Sequence, residues 1–311
     1  MGVVKAVCTS DRRGIQKTDV TSAQFQVGFG IVGDAHGGNW HRQVSLLSYE
    51  KVEAFNEKGA DVGAGAFGEN LVVEGFDFRN LPVGTVFRCN DVVLEMTQIG
   101  KECHTHCQIY QKMGECIMPT QGVFAEVRHG GSIRVGDEMV IVPEMKDPRM
   151  TAAVVTLSDK GAKGEREDKS GPLIKQMLED AGYRVIEKVL IPDELERIKI
   201  ELMRLADGRQ ANLIITTGGT GFSPRDCTPE ATMAVATRNA PGIAEAIRAF
   251  SMTITDRAML SREVSVIRNQ TLIVNLPGSP KAVSESLGFV LPSLKHGLDI
   301  LTGADAECAR S

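Results

Sequence analysis

The sequence predicts two domains, an all-β barrel at 1–145 followed by a three-layer α/β domain with a mostly parallel sheet at 150–311. Three observations carry that expectation. The first stretch breaks into many short strand-like runs separated by glycine turns, the texture of a barrel or sandwich. The second alternates strand-like and helical stretches, which implies a parallel sheet with helices on both faces. Between them, Pro143-Glu144-Met145-Lys146-Asp147-Pro148-Arg149 places two prolines and four charges in seven residues, a stiff polar hinge.

In the first stretch the strand-like runs are 2–9, 43–47, 71–73, 85–88, 92–97, 123–127 and 138–142, with helical character only at 49–57 and 107–113. In the second, strands are expected at 152–157, 184–190, 212–216, 264–267 and 271–275. A helix at 171–181 is capped by Ser170, and one at 194–206 puts Leu195, Ile198, Leu202 and Leu205 on one face. Further helices are expected at 230–237 and 243–253, and a last one starts after Pro277-Gly278-Ser279-Pro280 and runs to Leu301 with a break at Pro292.

Composition narrows the function classes. The 311 residues are 42% hydrophobic and 24% charged, the balance of a soluble globular protein with room for two cores. A net charge of −5 with three Tyr and one Trp argues against a nucleic-acid surface. No apolar run has bilayer length, and the N-terminus turns polar too soon for a secretory signal. Seven cysteines, an odd and mostly scattered set, point to the reducing cytoplasm.

Chemistry concentrates in 213–230, where the apolar run Leu213-Ile214-Ile215 stops in Thr216-Thr217-Gly218-Gly219-Thr220-Gly221-Phe222-Ser223-Pro224-Arg225-Asp226, and Thr228-Pro229-Glu230 opens a helix with a cap-like threonine. A glycine-rich turn at a strand's C-terminal end, followed by a helix start, suits an anion, because its bare N–H groups approach a phosphate closely. The other strand ends carry Ser158-Asp159, Ile191-Pro192-Asp193 and Asn275-Leu276-Pro277-Gly278-Ser279. Singly, Asp193 reads as a helix cap, Asp226 as a turn residue and Asp159 as a loop charge. Together they suit a phosphorylated ligand with a hard cation such as Mg2+. The turn is neither a Walker A loop nor a dinucleotide fingerprint.

The stretch from Thr216 to Glu230 resembles the signature of the MogA/MoaB family of molybdenum cofactor biosynthesis. Leu157-Ser158-Asp159, Leu190 to Glu194, Pro241 to Glu245, Leu260-Ser261-Arg262 and Asn275 to Pro280 match in order. The resemblance implies a molybdopterin adenylyltransferase that uses Mg2+ and takes ATP and molybdopterin as substrates. It implies Asp193 and Asp226 as catalytic, metal-holding aspartates. It places ligand contacts at Ser158, Asp159, Asp168, Thr217, Gly218, Gly219, Thr220, Gly221, Pro277, Gly278 and Ser279.

In the first stretch, Gly100-Lys101-Glu102-Cys103-His104-Thr105-His106-Cys107 stands out. It admits a zinc site, incidental buried thiols, or one reactive thiolate at Cys103 beside Lys101 and imidazoles. Gly28 to His36, Arg42 to Leu47, Gly65 to Leu71, Thr97 to Cys103 and Gly122 to Val127 resemble the MOSC domain. That resemblance implies a β-barrel that binds molybdenum cofactor or a related pterin, with Cys103 as its characteristic catalytic cysteine. His36 and Arg42 are expected to contact an anion, and Gly33, Gly68 and Asn70 to serve turns.

The expectation is a cytoplasmic, bifunctional protein of molybdenum or tungsten cofactor biosynthesis. Its partners are small molecules and other cofactor-biosynthesis proteins, with no nucleic acid and no membrane, and it forms a homo-oligomer with a trimer favoured. The rival readings are a non-catalytic cofactor carrier and a zinc-braced first domain.

Overall fold

A computed structural model describes residues 1–101 and 108–303. The chain divides into two compact units, 1–147 and 148–311. No described helix is long and apolar enough to cross a membrane.

The first unit contains strands β1 (Gly2–Thr9), β2 (Thr18–Asp19), β3 (Ser22–Gln26), β4 (Gly30–Ile31), β5 (Val44–Ser48), β6 (Leu71–Glu74), β7 (Val86–Cys89), β8 (Val92–Ile99), β9 (Val123–His129), β10 (Gly131–Arg134) and β11 (Glu138–Ile141). Its helices are α1 (Tyr49–Asn56), α2 (Gln108–Met113) and α3 (Met118–Gln121). Seven strands close a barrel in the order β11-β7-β8-β9-β5-β6-β1, sealed where Gly2 and Val3 pair with Met139 and Glu138. All seven are strands expected from the sequence. Closure removes the exposed edges that an open sheet would present. Inward-facing Val4, Leu46, Leu71, Phe87, Leu94, Met96 and Val127 fill the barrel, and Phe87 packs edge-on against Phe76 and Phe78, which are tilted on each other, with centroids 5.5–5.6 Å apart. The side sheet β10-β3-β4 was not expected. In β3 only Phe25 is buried, so no alternation of apolar and polar residues announces it.

The second unit contains β12 (Thr151–Leu157), α4 (Asp159–Ala162), α5 (Ser170–Asp180), β13 (Arg184–Ile191), α6 (Leu195–Met203), β14 (Leu213–Thr217), α7 (Thr228–Ala234), β15 (Arg238–Asn239), α8 (Pro241–Met252), β16 (Ser265–Arg268), β17 (Thr271–Leu276) and α9 (Pro280–Thr302). The sheet runs β13-β12-β14-β17-β16-β15, with β13, β12, β14 and β17 mutually parallel and β16 antiparallel to β17. Alternation along β12 sends Ala152 and Val154 to one face, under α5, α8 and α9, and Ala153 and Val155 to the other, under α6 and α7. Both faces are therefore covered, which makes the three layers and explains why the central strands are apolar throughout.

Three local expectations are corrected. Pro292 does not break the last helix, because Val283, Leu287, Val290, Leu294 and Leu298 bury one continuous stripe. At ~1.5–3 kcal/mol per buried side chain, that stripe outweighs the ~3 kcal/mol cost of an internal proline. Residue 288, whose carbonyl loses its donor, is an exposed glycine. The helix from 194 is shorter than expected: α6 ends at Met203 and passes into a π-turn at Arg204–Gly208. Ser170 does not cap α5; the Asp168 carboxylate accepts the Gly171 N–H at 2.8 Å, while the Ser170 hydroxyl donates to the Gly278 carbonyl at 2.8 Å.

Candidate functional site

Parallel strands β12, β13, β14 and β17 deliver their C-terminal ends, Leu157, Ile191, Thr217 and Leu276, to one edge of the sheet. The turn after β14 is held there from several sides. The Thr217 hydroxyl donates to the Pro277 carbonyl at 2.7 Å. The Thr228 hydroxyl donates to the Gly218 carbonyl at 2.9 Å, so it ties the helix start back to the turn instead of capping α7. Gly218 and Gly219 have φ of +99° and +63°, where glycine is favoured. The turn is also crowded: a Cβ on Gly218 would lie 2.4 Å from the Leu157 carbonyl oxygen, and one on Gly219 would lie 2.7 Å from Asp193 Oδ1.

A cavity of about 690 Å³ opens on one side of this turn. Its walls include Thr156, Ser158, Arg166, Asp168, Lys169, Ser170, Thr217, Gly218, Gly219, Gly278 and Ser279. Two of its walls are also helix starts. Ser158 accepts the Gly161 N–H at 3.0 Å at the start of α4, and Ser279 accepts the Ala282 N–H at 3.2 Å at the start of α9. Asp168 accepts the Thr156 hydroxyl at 3.0 Å and stands 3.5 Å from Lys188 Nζ. Seven of the expected contacts thus share one cavity: Ser158, Asp168, Thr217, Gly218, Gly219, Gly278 and Ser279. Asp159, Asp193, Thr220, Gly221, Asp226 and Pro277 do not line it.

Asp193 adjoins the turn at Gly219 and has two unlike oxygens. Oδ2 accepts the Asp159 N–H at 3.1 Å, and the Asp193 N–H is given to Asp159 Oδ1 at 3.1 Å, a reciprocal clasp between two strand ends. Oδ1 is buried and has no hydrogen-bond partner. Asp193 therefore does not cap α6, whose N-cap is Glu194. Burial pushes its carboxyl above the ordinary range, and the charges of Asp159 and Asp226 add to the push. A buried carboxylate oxygen left bare among like charges is costly unless a cation completes it. The Arg225 guanidinium grips Asp159 at 3.0 and 2.8 Å and holds its carboxyl below the ordinary range. Asp226 Oδ2 accepts the Ser223 N–H at 3.3 Å, and a Cβ on Gly221 would lie 2.8 Å from that oxygen. Asp193 and Asp226 are carboxylates whose charges act on one another, the oxygen-donor chemistry that a hard cation such as Mg2+ takes. Burial and the carboxylates of Asp193 and Glu230 push the Cys227 thiol up.

In the first unit, Cys103, His104, His106 and Cys107 lie outside the described residues. Among the described residues no cluster of three or more His, Cys, Asp or Glu could hold a metal. His36 faces the buried Asp34 carboxylate through Nδ1 at 3.3 Å. The Arg42 guanidinium sits 4.7 Å from the Trp40 ring centroid and 5.6 Å from that of Phe124. Gly33 and Gly68 have positive φ, as turn residues do. Asn70 has a different role from the turn expected: its amide donates to Cys8 O at 3.0 Å and to Asp34 Oδ2 at 2.9 Å, and its carbonyl accepts the Ser45 hydroxyl at 2.9 Å. Asp34 is also paired with Lys17 at 2.5 Å, both side chains 1% exposed. Sequence reasoning missed Lys17, whose burial nothing in its neighbours announces, and it assigned no role to Lys188 or to Arg262.

Glu263, 2% exposed, lies where the chain approaches β16, and its Oε2 has no hydrogen-bond partner. Burial pushes its carboxyl up from 4.5 to about 7. Between those values the folded protein binds the proton more tightly than the unfolded chain, so stability falls as pH rises through the window. Glu263→Gln is expected to remove that slope and to stabilise the second unit at pH 8 by up to about 3 kcal/mol. Denaturant unfolding of both proteins at pH 5 and pH 8 checks this; an unchanged difference between them at the two pH values refutes it.

Residues 153–296 match the family model described as a probable molybdopterin binding domain, and residues 33–140 match that of the MOSC domain. Gephyrin of Dictyostelium discoideum is 42% identical over 166 residues, 50% of this chain, but the chain spans only 23% of gephyrin's length. The molybdopterin adenylyltransferase of Helicobacter pylori is 39% identical over 152 residues, covering 48% of this chain and 86% of that protein. The Escherichia coli protein of the same name is 44% identical over 136 residues, covering 43% of this chain and 70% of that protein. By these matches, and by a glycine turn and aspartates set at the ends of a parallel sheet, the chain belongs to the molybdopterin adenylyltransferase family through its second unit, and it carries a MOSC domain in its first.

Proposed function

We propose that the second unit transfers AMP from ATP to the terminal phosphate of molybdopterin. A phosphate oxygen of molybdopterin attacks the α-phosphorus of ATP, the bond to the β-phosphate breaks, and pyrophosphate leaves. The attacking group is already anionic, so no general base is required and the work is positioning and charge neutralisation. The observation that carries the reading is Asp193 Oδ1, buried and without a partner at the glycine turn, with a cavity that Gly218 and Gly219 of the same turn line.

Asp193 and Asp226 would hold Mg2+, whose charge offsets that of the phosphates. Gly219 to Gly221 would offer backbone N–H groups to phosphate oxygens, while Gly218, whose N–H donates to the Leu276 carbonyl at 3.3 Å, lines the cavity. Ser158, Asp159, Asp168, Thr217, Thr220, Pro277, Gly278 and Ser279 shape the ligand contacts, with Thr217 acting through Pro277. Purified protein given ATP, Mg2+ and molybdopterin should release one pyrophosphate per molybdopterin consumed, and none when molybdopterin is omitted. Folded protein that releases none would favour a non-catalytic carrier.

The first unit, in the same proposal, holds, passes on or sulfurates a pterin or molybdenum cofactor intermediate through Cys103. Tethering the two units raises the effective concentration of one site near the other, which suits hand-over of a labile intermediate. The proposal places the protein in the cytoplasm, a setting that suits the free thiols of Cys8, Cys89 and Cys227. It includes a homo-oligomer, a trimer by family resemblance, and the exposed Met252, Ile254, Met259, Leu260 and Phe289 support self-association.

A further inference from the structure

The loop from Thr220 to Asp226 is exposed at its tip, where Phe222 is 69% accessible. Its internal ties are few: the Asp226 N–H donates to the Ser223 carbonyl at 2.9 Å, and the Ser223 N–H to Asp226 Oδ2 at 3.3 Å. A loop so held would not keep Asp226 in one place. Two residues outside the loop anchor it: Asp159, held by the Arg225 guanidinium at 3.0 and 2.8 Å, and Arg262, which alone binds the backbone at both of its ends. The Arg262 Nε donates to the Gly221 carbonyl at 2.7 Å and Nη2 donates to the Asp226 carbonyl at 2.7 Å. Its Nη1 donates to the Glu230 carboxylate at the start of α7, and its backbone N–H donates to the Thr220 carbonyl at 2.9 Å. Both ends of the loop and the following helix thus meet on one planar guanidinium, whose donor directions are fixed.

Peptide geometry gives this a consequence. In a trans peptide the C=O and the next N–H point in opposite directions. With the carbonyls of Thr220, Gly221 and Asp226 turned toward Arg262, the N–H groups of Gly221, Phe222 and Cys227 are turned away from it. Successive N–H groups aimed to one side make an anion-binding concavity.

We propose that Arg262 is a positioning residue for adenylyl transfer. It touches neither substrate; it holds the Asp226 loop so that its carboxylate and N–H groups face the nucleotide phosphates. This rests on the adenylyltransferase reading above. A displacement of about 1 Å at such a site costs on the order of 10²-fold in rate.

The test compares wild type, Arg262→Ala and Arg262→Lys for pyrophosphate release, thermal unfolding, and amide exchange across residues 220–228. Arg262→Ala is expected to lower kcat about 10²-fold with KM for molybdopterin little changed, and added guanidinium should restore part of kcat. Arg262→Lys keeps the charge and the stem but not the fork, so its kcat should fall by at least about tenfold. Loop amides should exchange faster in both variants. A folded variant of either kind with kcat within twofold of wild type, or with unchanged loop exchange, overturns the proposal. Should wild type itself release no pyrophosphate, faster loop exchange in the variants still supports the clamp, and it is the adenylyltransferase reading that falls.

Discussion

Asp193→Asn should lower pyrophosphate release by about 10³-fold while raising thermal stability. The two effects come from the same atom. Oδ1 is buried without a partner, and burial together with the charges of Asp159 and Asp226 makes its ionised form unfavourable. Asparagine keeps an acceptor for the Asp159 N–H, which now goes to Oδ2 at 3.1 Å, and removes the buried charge. The folded protein therefore gains while the cation loses a ligand. Mg2+ with ATP should raise the Tm of wild type, because a ligand that binds only the folded state stabilises it, and should fail to raise that of the variant. Asp226→Ala should cost activity to a similar degree but leave Tm nearly unchanged, since Oδ2 accepts only the Ser223 N–H at 3.3 Å. Release by folded Asp193→Asn within tenfold of wild type would remove this aspartate from the site.

Gly218→Ala should be the most damaging change for the second unit, with a loss of about 3 kcal/mol or more. Its φ of +99° strains any L side chain, and its Cβ would sit 2.4 Å from the carbonyl oxygen of Leu157. That obstacle is the backbone of a central strand, which has no rotamer to change. Any relief moves the turn away from β12 and carries Gly219 and Asp193 with it. Activity should therefore fall together with stability. Gly164 has a similar φ of +74° with open space around it, so Gly164→Ala should cost only the backbone strain. Urea midpoints for the two variants check the contrast; equal midpoints would mean that contact with Leu157 contributes nothing.

Much of the architecture was legible because it depends on periodicity. The seven barrel strands and the five long strands of the sheet are apolar runs bounded by turn residues, and each is found within a residue or two of its expected limits. What escaped was polar or short. β2, β4 and β15 have two residues each, and β3 and β10 bury a single apolar side chain apiece. Caps were read less well, since a hydroxyl near a helix start has several acceptors in reach. Ser170 turns to Gly278 and Thr228 to Gly218, so both residues link loops where capping was expected.

The candidate site divides in the same way. The sequence by itself determined that glycines, hydroxyls and aspartates stand at the ends of four strands, because the strand-to-turn transitions at 158, 193, 218 and 277 are local features of the chain. Only the tertiary structure decided how these groups divide. Ser158, Asp168 and Gly278 share a cavity with the turn, while Asp193, outside its lining, leaves a bare oxygen against Gly219 and is clasped to Asp159 across two strands. Only the tertiary structure brought Arg262 to the loop that ends at Asp226, 36 residues away in the chain. Strand order and through-space charge are properties of the folded sheet, and no local pattern in the sequence encodes them.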